Sequence, residues 1–523
     1  MRPFPEAPHA VGSSMRRRIP PVFRPRLTWR YAACSFATIY VLYCFVFSLP
    51  LFANPLPKYS GTYAVGAIDI ETPVSSPRVV DTARFKDTKE NAFELQTVLF
   101  TLYYPAGKAV RHKPQHHWIP KPVSVTAEGY AKFAHISNFV TNAIFSGAIR
   151  GLVGGIRIPA KVDAPLAEPA HPVVPVSEMS HPKQHTEKVM AAEKHGYPVV
   201  VFSHGMASSR TDYTHYAGEL ASRGYVVALL EHRDGSCPGS VIQRVGELDQ
   251  TKLTFRMSEV ESANGKELEV DDFKKAQLDF REAEIEETVR VLKLINSGKG
   301  DDVFEQNSRN EGAELAAWAG RFNTDEMIVA GHSYGATGAL QALKGGPNEE
   351  RPFRGAIILD PGKQSGRLNE DVNVPVLVVH SNSWSSKRSI FYGRAHFDVV
   401  RGLVEDNNER GNPSWFITSL GTSHPSVTDA PLLEPLLLSW TTGAKIDVYE
   451  GLRQYVHVSE DFLRFLEGGE KRNLLAEKAE FLEYDQGKGF GMWNPGQDDN
   501  EKQGGLWWDW RKYWQVHVSA NHT

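Results

Sequence analysis

The 523-residue chain is 41% hydrophobic and 23% charged with a net charge of −4, enough apolar material for a large core and, by length alone, roughly two to four domains. Lysine, arginine, aspartate and glutamate are interspersed, which excludes the global basic field that nucleic-acid binding needs. Of the cysteines Cys34, Cys44 and Cys237, only the last lies outside an apolar N-terminal segment, so the rest of the chain holds no disulfide of its own. A core this large needs no covalent staples, and the low cysteine count leaves the compartment open.

Residues 1–30 are rich in proline and arginine without apolar periodicity and predict a disordered cytosolic tail. Tyr31 to Ala53 carries no charge and, at about 1.5 Å per residue, is long enough to cross a hydrocarbon core of about 30 Å. It predicts a transmembrane signal anchor over 31–53. Arg16, Arg17, Arg18, Arg24, Arg26 and Arg30 precede it, and only Lys58 follows closely. That asymmetry keeps the N-terminus cytosolic and the remainder lumenal or extracellular. The competing reading is a cleaved signal peptide and secretion, against which Phe52-Ala53-Asn54 is a poor small-x-small cleavage site. The sequon Asn521-His522-Thr523 adds weakly to a lumenal placement.

A folded part begins near Tyr63. Leu95 to Tyr104 reads as a strand ended by Pro105, and Val199 to Phe202 as a second whose unbroken apolar character suits burial on both faces. Between them, an insertion over about 106–195 is placed to lid a site. It contains an apolar, helix-length segment from Phe133 to Leu152, read as core rather than lipid-facing, and a loop rich in proline and histidine from Pro159 to Pro182. A helix at Tyr213 to Arg223, a strand Val226 to Leu230 and a long helix Asp271 to Ile295 follow. Further short apolar runs occupy 327–330, 354–359, 374–379 and 414–420, and a last helix spans 450–466. Strands alternating with helices predict an α/β fold with a mostly parallel sheet covered by helices on both faces. The domain plan is a tail (1–30), an anchor (31–53), a catalytic domain (60–468) and an aromatic C-terminal tail (469–523). In that tail, Leu506 to Trp514 suits either a lipid–water boundary or packing on the domain surface.

Gly331-His332-Ser333-Tyr334-Gly335 sits between the run Met327 to Ala330 and the small residues Ala336 to Leu340. A serine flanked by glycines at a strand-to-helix junction is the nucleophile elbow of an α/β-hydrolase. A serine hydroxyl needs a base, and the base an acid, in the chain order serine, acid, histidine. Asp360 follows the run 354–359 and is the candidate acid, the alternative being an Asp-Pro turn. Among His380, His396, His424, His457, His517 and His522, only His424 stands just after a strand and well past the acid. The oxyanion donors are assigned to the backbone N–H groups of Tyr334 and of Met206, on the turn His204-Gly205-Met206 that leaves the strand 199–202. Gly331, Gly335, Gly205 and His204 are assigned elbow- and loop-shaping roles, because His204 precedes the serine and breaks the triad order. His112, His116 and His117 have no acidic or cysteine ligand at metal spacing, and the sequence holds no P-loop and no G-x-G-x-x-G. No metal and no cofactor are expected.

The block Tyr197 to Gly205, Leu220 to Ala228, Glu231-His232-Arg233-Asp234 and Gly355 to Asp360, with the earlier Gly61 to Gly66 and Leu102 to Pro105, resembles the platelet-activating-factor acetylhydrolase family from about residue 60 to 465. The resemblance implies a calcium-independent serine esterase that removes acetyl or short, oxidised acyl groups from the sn-2 position of phospholipids. It carries nucleophile, acid and base over to Ser333, Asp360 and His424. It also implies a phospholipid substrate and a membrane as partners, without nucleic acid or an obligate protein partner. The N-terminal segment, the long 159–195 loop and the aromatic tail depart from the family pattern. Two other readings stand beside it: a general carboxylesterase or polyester hydrolase of the same fold, and a non-catalytic membrane-anchored interaction protein.

Overall fold

The structure is a computed structural model that describes residues 28–46, 53–107, 113–168, 196–435, 441–486 and 512–521. Among these the strands are β1 (Ala64–Phe85), β2 (Asn91–Ala106), β3 (Lys161–Val162), β4 (Tyr197–Ser203), β5 (Val226–Leu230), β6 (Gly239–Ile242), β7 (Gln250–Leu253), β8 (Val260–Glu261), β9 (Phe322–His332), β10 (Phe353–Leu359), β11 (Val376–Ser381), β12 (Ile390–Phe391), β13 (Arg394–Ala395), β14 (Trp415–Ser419) and β15 (Trp514–Val518). One sheet runs β15-β14-β11-β10-β9-β4-β5-β2-β1-β3, with β8 on β1. From β5 to β14 neighbouring strands are parallel. β2 and β15 enter antiparallel to β5 and β14. The sheet is mixed, with a parallel centre in an α/β-hydrolase-like arrangement.

The unbroken apolar runs follow from that centre. Along β4, Val199 and Val201 face one core while Val200 and Phe202 face the other. The first core takes Ile285, Val289 and Leu292 from the helix Val270–Asn296, and Val399 and Leu403 from the helix His396–Glu409. The second takes Tyr216 and Leu220 from the helix Thr214–Ala221, and Leu452 and Phe462 from the helix Val448–Gly468. A strand with both faces covered has no solvent side on which to alternate polar residues. β2 continues through Pro105, where the sequence predicts its end. β5 pairs only Phe100 to Tyr103 of β2, so the missing N–H of Pro105 costs no bond on that side.

The expected transmembrane helix over 31–53 is corrected. The N-terminal helix is Trp29–Val46, of 18 residues, and no helix among the described residues is long and apolar enough to cross a membrane. At about 1.5 Å per residue it spans about 27 Å, short of a hydrocarbon core of about 30 Å. Arg30, Ser35, Thr38 and the tyrosines 31, 40 and 43 dilute its apolar character. The expectation takes the segment as apolar almost throughout, uncharged and long enough to span, but the absence of charge is a weaker property than sustained apolarity. Residues 1–27 and 47–52 lie outside the described residues.

The insertion also differs from expectation. It holds two helices, Val123–Phe133 and Phe139–Leu152, the first ending where the expected segment 133–152 begins and the second lying within it. Asn138 caps the second, its side chain accepting the Val140 and Thr141 N–H groups at 3.0 Å. No residue of this second helix is buried. Phe139 is 89% exposed and Ile144 63%, while Ile149 packs partly buried against the second core. The start of the expected loop, at Lys161–Val162, is an edge strand on β1. Residues 169–195 lie outside the described set, as do the tail tryptophans 507, 508 and 510. Trp514 is buried, and Trp514–Val518 closes the sheet on β14.

Asp429 ties the insertion to the sheet-bearing body of the chain. Its buried carboxylate accepts the Trp118 indole N–H at 3.1 Å, the Thr214 N–H at 3.0 Å, the Thr214 hydroxyl at 2.6 Å and the His215 N–H at 2.9 Å. It supplies from a distance the cap that Tyr213 does not give the helix Thr214–Ala221. Asp429→Ala strands these donors, and chemical denaturation is expected to show a loss of at least about 2 kcal/mol.

Candidate active site

Four strand ends at the carboxyl edge of the parallel centre carry the site, the edge at which open α/β sheets bind ligands. Ser333 follows β9, Asp360 follows β10, and His424 follows β14 by a short loop. The loop 204–206 follows β4.

The elbow is set by backbone contact. Ser333 sits at φ 57° and ψ −119°, outside the favoured regions for a residue with a Cβ. Its N–H donates to Leu359 O at 2.9 Å. A Cβ on Gly335 would lie 2.0 Å from Ser203 O, and one on Gly331 would lie 2.2 Å from Gly335 O. Both neighbours are backbone and cannot yield, so glycine is obligatory at each position. Gly205 approaches Ser333 itself, a Cβ there falling 3.2 Å from Ser333 Cβ.

His424 Nε2 lies 3.0 Å from Ser333 Oγ, and His424 Nδ1 lies 2.8 Å from Asp360 Oδ2. Asp360 is 2% exposed and left-handed, at φ 48°. Its carboxylate also accepts the Ser381 N–H at 2.6 Å and the Ser381 hydroxyl at 2.7 Å. An acceptor-only carboxylate at Nδ1 places the imidazole proton there and leaves the Nε2 lone pair for the serine. The backbone of His424 is held by its N–H donating to Ser383 Oγ at 2.9 Å.

The loop after β4 is locked from two sides. The Gly205 N–H donates to Tyr213 Oη at 3.1 Å, and that hydroxyl meets His332 Nδ1 at 2.8 Å. Burial, then the neighbouring His424, holds the His332 pKa well below the usual imidazole range, so its ring is neutral and able to accept. His204 Nε2 accepts the His232 N–H at 3.0 Å, which leaves Nδ1–H to donate to Gly205 O at 2.8 Å. Its pKa is lowered to about 4, chiefly by burial. His204 therefore braces the turn. From beneath, the fully buried Arg281 donates to His204 O at 2.7 Å and Asp234 Oδ2 at 2.7 Å, and its guanidinium lies 4.6 Å from the Tyr334 ring centroid. Tyr334 opens the helix Tyr334–Gln341, where the first N–H groups have no intrahelical acceptor. Met206, on the facing loop, is 40% exposed.

The residues chosen for position relative to apolar runs, Ser333, Asp360 and His424, thus fall in one hydrogen-bonded chain. His380, passed over as the base, is buried below the site with its ring 4.7 Å from Phe416. His457 sits on the helix Val448–Gly468, as expected. Ser381, Arg281 and Trp384, which stacks on His424, were not singled out from sequence. Arg281 left a signal: it falls between Leu278 and Ile285 on the apolar face of its helix, where a charge needs a buried partner. Of the histidines set aside as metal ligands, His116 meets Glu311 at 2.8 Å and His117 Nδ1 meets Gly154 O at 3.1 Å, and His112 lies outside the described residues. His204, Glu231 and Cys237 also converge within ligand distance. There the His204 lone pair is already occupied, and burial raises the Cys237 thiol pKa, so the group is committed to hydrogen bonding.

A glycine-flanked serine, a histidine and a buried carboxylate at the carboxyl edge of such a sheet define an α/β-hydrolase-type site. The family described as platelet-activating factor acetylhydrolase, isoform II, matches residues 52–181 and 173–478. The chain belongs to that family. It is 25% identical over 309 residues to "Platelet-activating factor acetylhydrolase" of Cavia porcellus, covering 58% of this chain and 55% of that protein. It is 24% identical over 445 residues to a Schizosaccharomyces pombe protein named "Putative phospholipase A2", covering 78% and 91%. The chain spans about half the length of the mammalian relatives it matches. Among solved structures, a ferulic acid esterase from Streptomyces cinnamoneus aligns at TM-score 0.46 and 18% identity, over 82% of this chain and 97% of its own.

Arg281→Met leaves Asp234 buried without its charge partner. Urea denaturation is expected to register a loss of about 3–5 kcal/mol. Arg281→Lys, which keeps the charge but not the fork, is expected to fall between the two.

Proposed function

We propose that the chain is a serine esterase that hydrolyses the sn-2 acetyl or short, oxidised acyl ester of phospholipids to a lysophospholipid and a carboxylic acid, without calcium. The observation that carries this reading is the continuous Ser333–His424–Asp360 hydrogen-bond chain behind a strained elbow. Family membership supports the phospholipid class, and the exposed Phe139, Val140 and Ile144 suit a substrate drawn from a lipid aggregate.

In this mechanism His424 Nε2 takes the Ser333 proton as Oγ attacks the ester carbonyl. The C–O π electrons move to oxygen, and the N–H groups of Tyr334 and Met206 meet the resulting anion, each such donor contributing roughly 3 kcal/mol. Collapse expels the lysophospholipid alkoxide, which takes the proton from His424. Water, deprotonated by the same nitrogen, then attacks the acyl-Ser333 carbonyl; collapse breaks the bond to Oγ, which takes the proton back from His424, and the acid leaves. Asp360, fixed by Ser381, keeps the imidazole in the required tautomer throughout. Developing charge is met by fixed backbone dipoles, and no step calls on a metal ion.

The test is hydrolysis of 1-alkyl-2-acetylglycerophosphocholine beside a long-chain sn-2 analogue, with and without a calcium chelator, in parallel with fluorophosphonate labelling. The short ester is expected to be cleaved preferentially and unaffected by chelation. Ser333→Ala is expected to lose labelling and about four to six orders of magnitude in kcat. Cleavage of soluble esters without the phospholipid would instead indicate a general carboxylesterase. No labelling of Ser333 would sink the catalytic reading altogether. Phe139→Ser with Ile144→Ser is expected to lower turnover of vesicle substrate several-fold while leaving a soluble ester unchanged, as read by paired kinetics.

A further inference from the structure

Three side chains are layered beside the base. The Trp384 indole lies parallel to the His424 imidazole, with centroids 4.0 Å apart and planes 10° apart. It is pinned at both ends. Its indole N–H donates to Pro361 O at 3.0 Å, directly after Asp360, and its backbone N–H donates at 3.3 Å to Ser381 Oγ, the hydroxyl that also serves Asp360. Lys363 Nζ stands 4.6 Å from the indole centroid. Since the imidazole covers one face of the indole, the ammonium takes the other. The carbonyls of Trp384 and Lys387 hold that ammonium at 2.7 Å each.

Held only by hydrogen bonds at its two nitrogens, an imidazole can still turn about its Cα–Cβ and Cβ–Cγ bonds and swing Nε2 off the serine. A parallel plate in van der Waals contact removes that motion. The plate is also electrically active, because an indole face attracts a cation and a second cation on the opposite face competes for it.

We propose that Trp384 is a positioning residue for His424, and that Lys363 across the indole is the charge that opposes protonation of that imidazole. This rests on the catalytic reading above. The groups facing His424 are Asp360 at Nδ1, which favours the imidazolium, and the neutral rings of His332, 4.5 Å away, and His380. Lys363 lies behind Trp384, and Lys387 adds a second positive charge near Lys363. Burial lowers the Lys363 pKa to about 8, so its charge is present at neutral pH and fades above it.

The experiment follows the His424 imidazole by NMR titration in the full chain, wild type beside Trp384→Phe, Trp384→Ala and Lys363→Met. Each is paired with a pH profile on a soluble p-nitrophenyl acetate substrate. Trp384→Ala is expected to lower kcat by about 10- to 100-fold with little change in KM, as displacement of a catalytic group does. Trp384→Phe retains an aromatic plate and is expected to stay within about threefold of wild type. Lys363→Met removes a cation, so the imidazole titration and the acid limb of the profile are expected to move together to higher pH. Equal damage by Phe and Ala at 384, or an unmoved titration in Lys363→Met, would overturn the proposal. The titration needs no substrate. A wild type that cleaves no ester therefore counts against the catalytic reading alone, while the imidazole signals still decide this one.

Discussion

Everything at the site depends on how closely two pieces of backbone meet. The first turn after Ser333 is pressed on the last residue of β4, with room at Gly335 for hydrogen alone. That contact holds Ser333 at a positive φ, and it brings the start of the elbow helix beside the loop 204–206. Steric exclusion between carbonyls is rigid in a way that side-chain packing is not. The strain at Ser333 is tolerated because Leu359 O, Gly331 and the β4 terminus over-determine the bend. Arg281 sits under the junction, and its ion pair with Asp234 turns a loop end into part of the buried frame.

The sheet converts this local device into a constellation. β10 runs parallel to β9 with Leu359 opposite His332, and β11 runs parallel to β10 with Val379 opposite Leu359. Ser333 and Asp360, which follow His332 and Leu359, and Ser381, two residues past Val379 at the end of β11, therefore emerge close together. His424 arrives from β14, one strand further on, and leans back over them. Parallel strands at a spacing of about 4.8 Å bring side chains from distant segments within one or two hydrogen bonds of each other. The antiparallel strands at the margins, β2 with β1 and β15, close the sheet without contributing to this edge.

Where each segment could be read from sequence follows from whether its signal was local. β4, β5, β10, β11 and β14 are short, unbroken apolar runs, and a run buried on both faces announces itself. β1 was not visible as a strand because Pro73, Ser75, Ser76 and Pro77 interrupt it, and it keeps its ladder to β2 only by shifting register there. The segment Phe139–Leu152 is as apolar as a core helix, yet it lies exposed. Composition records how oily a helix is, not whether anything covers it. The N-terminal helix shows the converse, since the absence of charge over 31–53 did not make it long and apolar enough to span a bilayer.

The sequence by itself determined the elbow, because its glycines and flanking runs encode a steric requirement within five residues. It also determined which acid and which histidine follow a strand at that edge, since both are read from position along the chain. Only the tertiary structure decided what steadies them. Ser381 beneath Asp360, Arg281 beneath the loop, Asp429 between insertion and body, and Trp384 against His424 each join segments whose sequence spacing says nothing of their meeting. A hydrogen bond or a stacked ring depends on the approach of two surfaces, and that approach is settled by how the sheet and its helices pack.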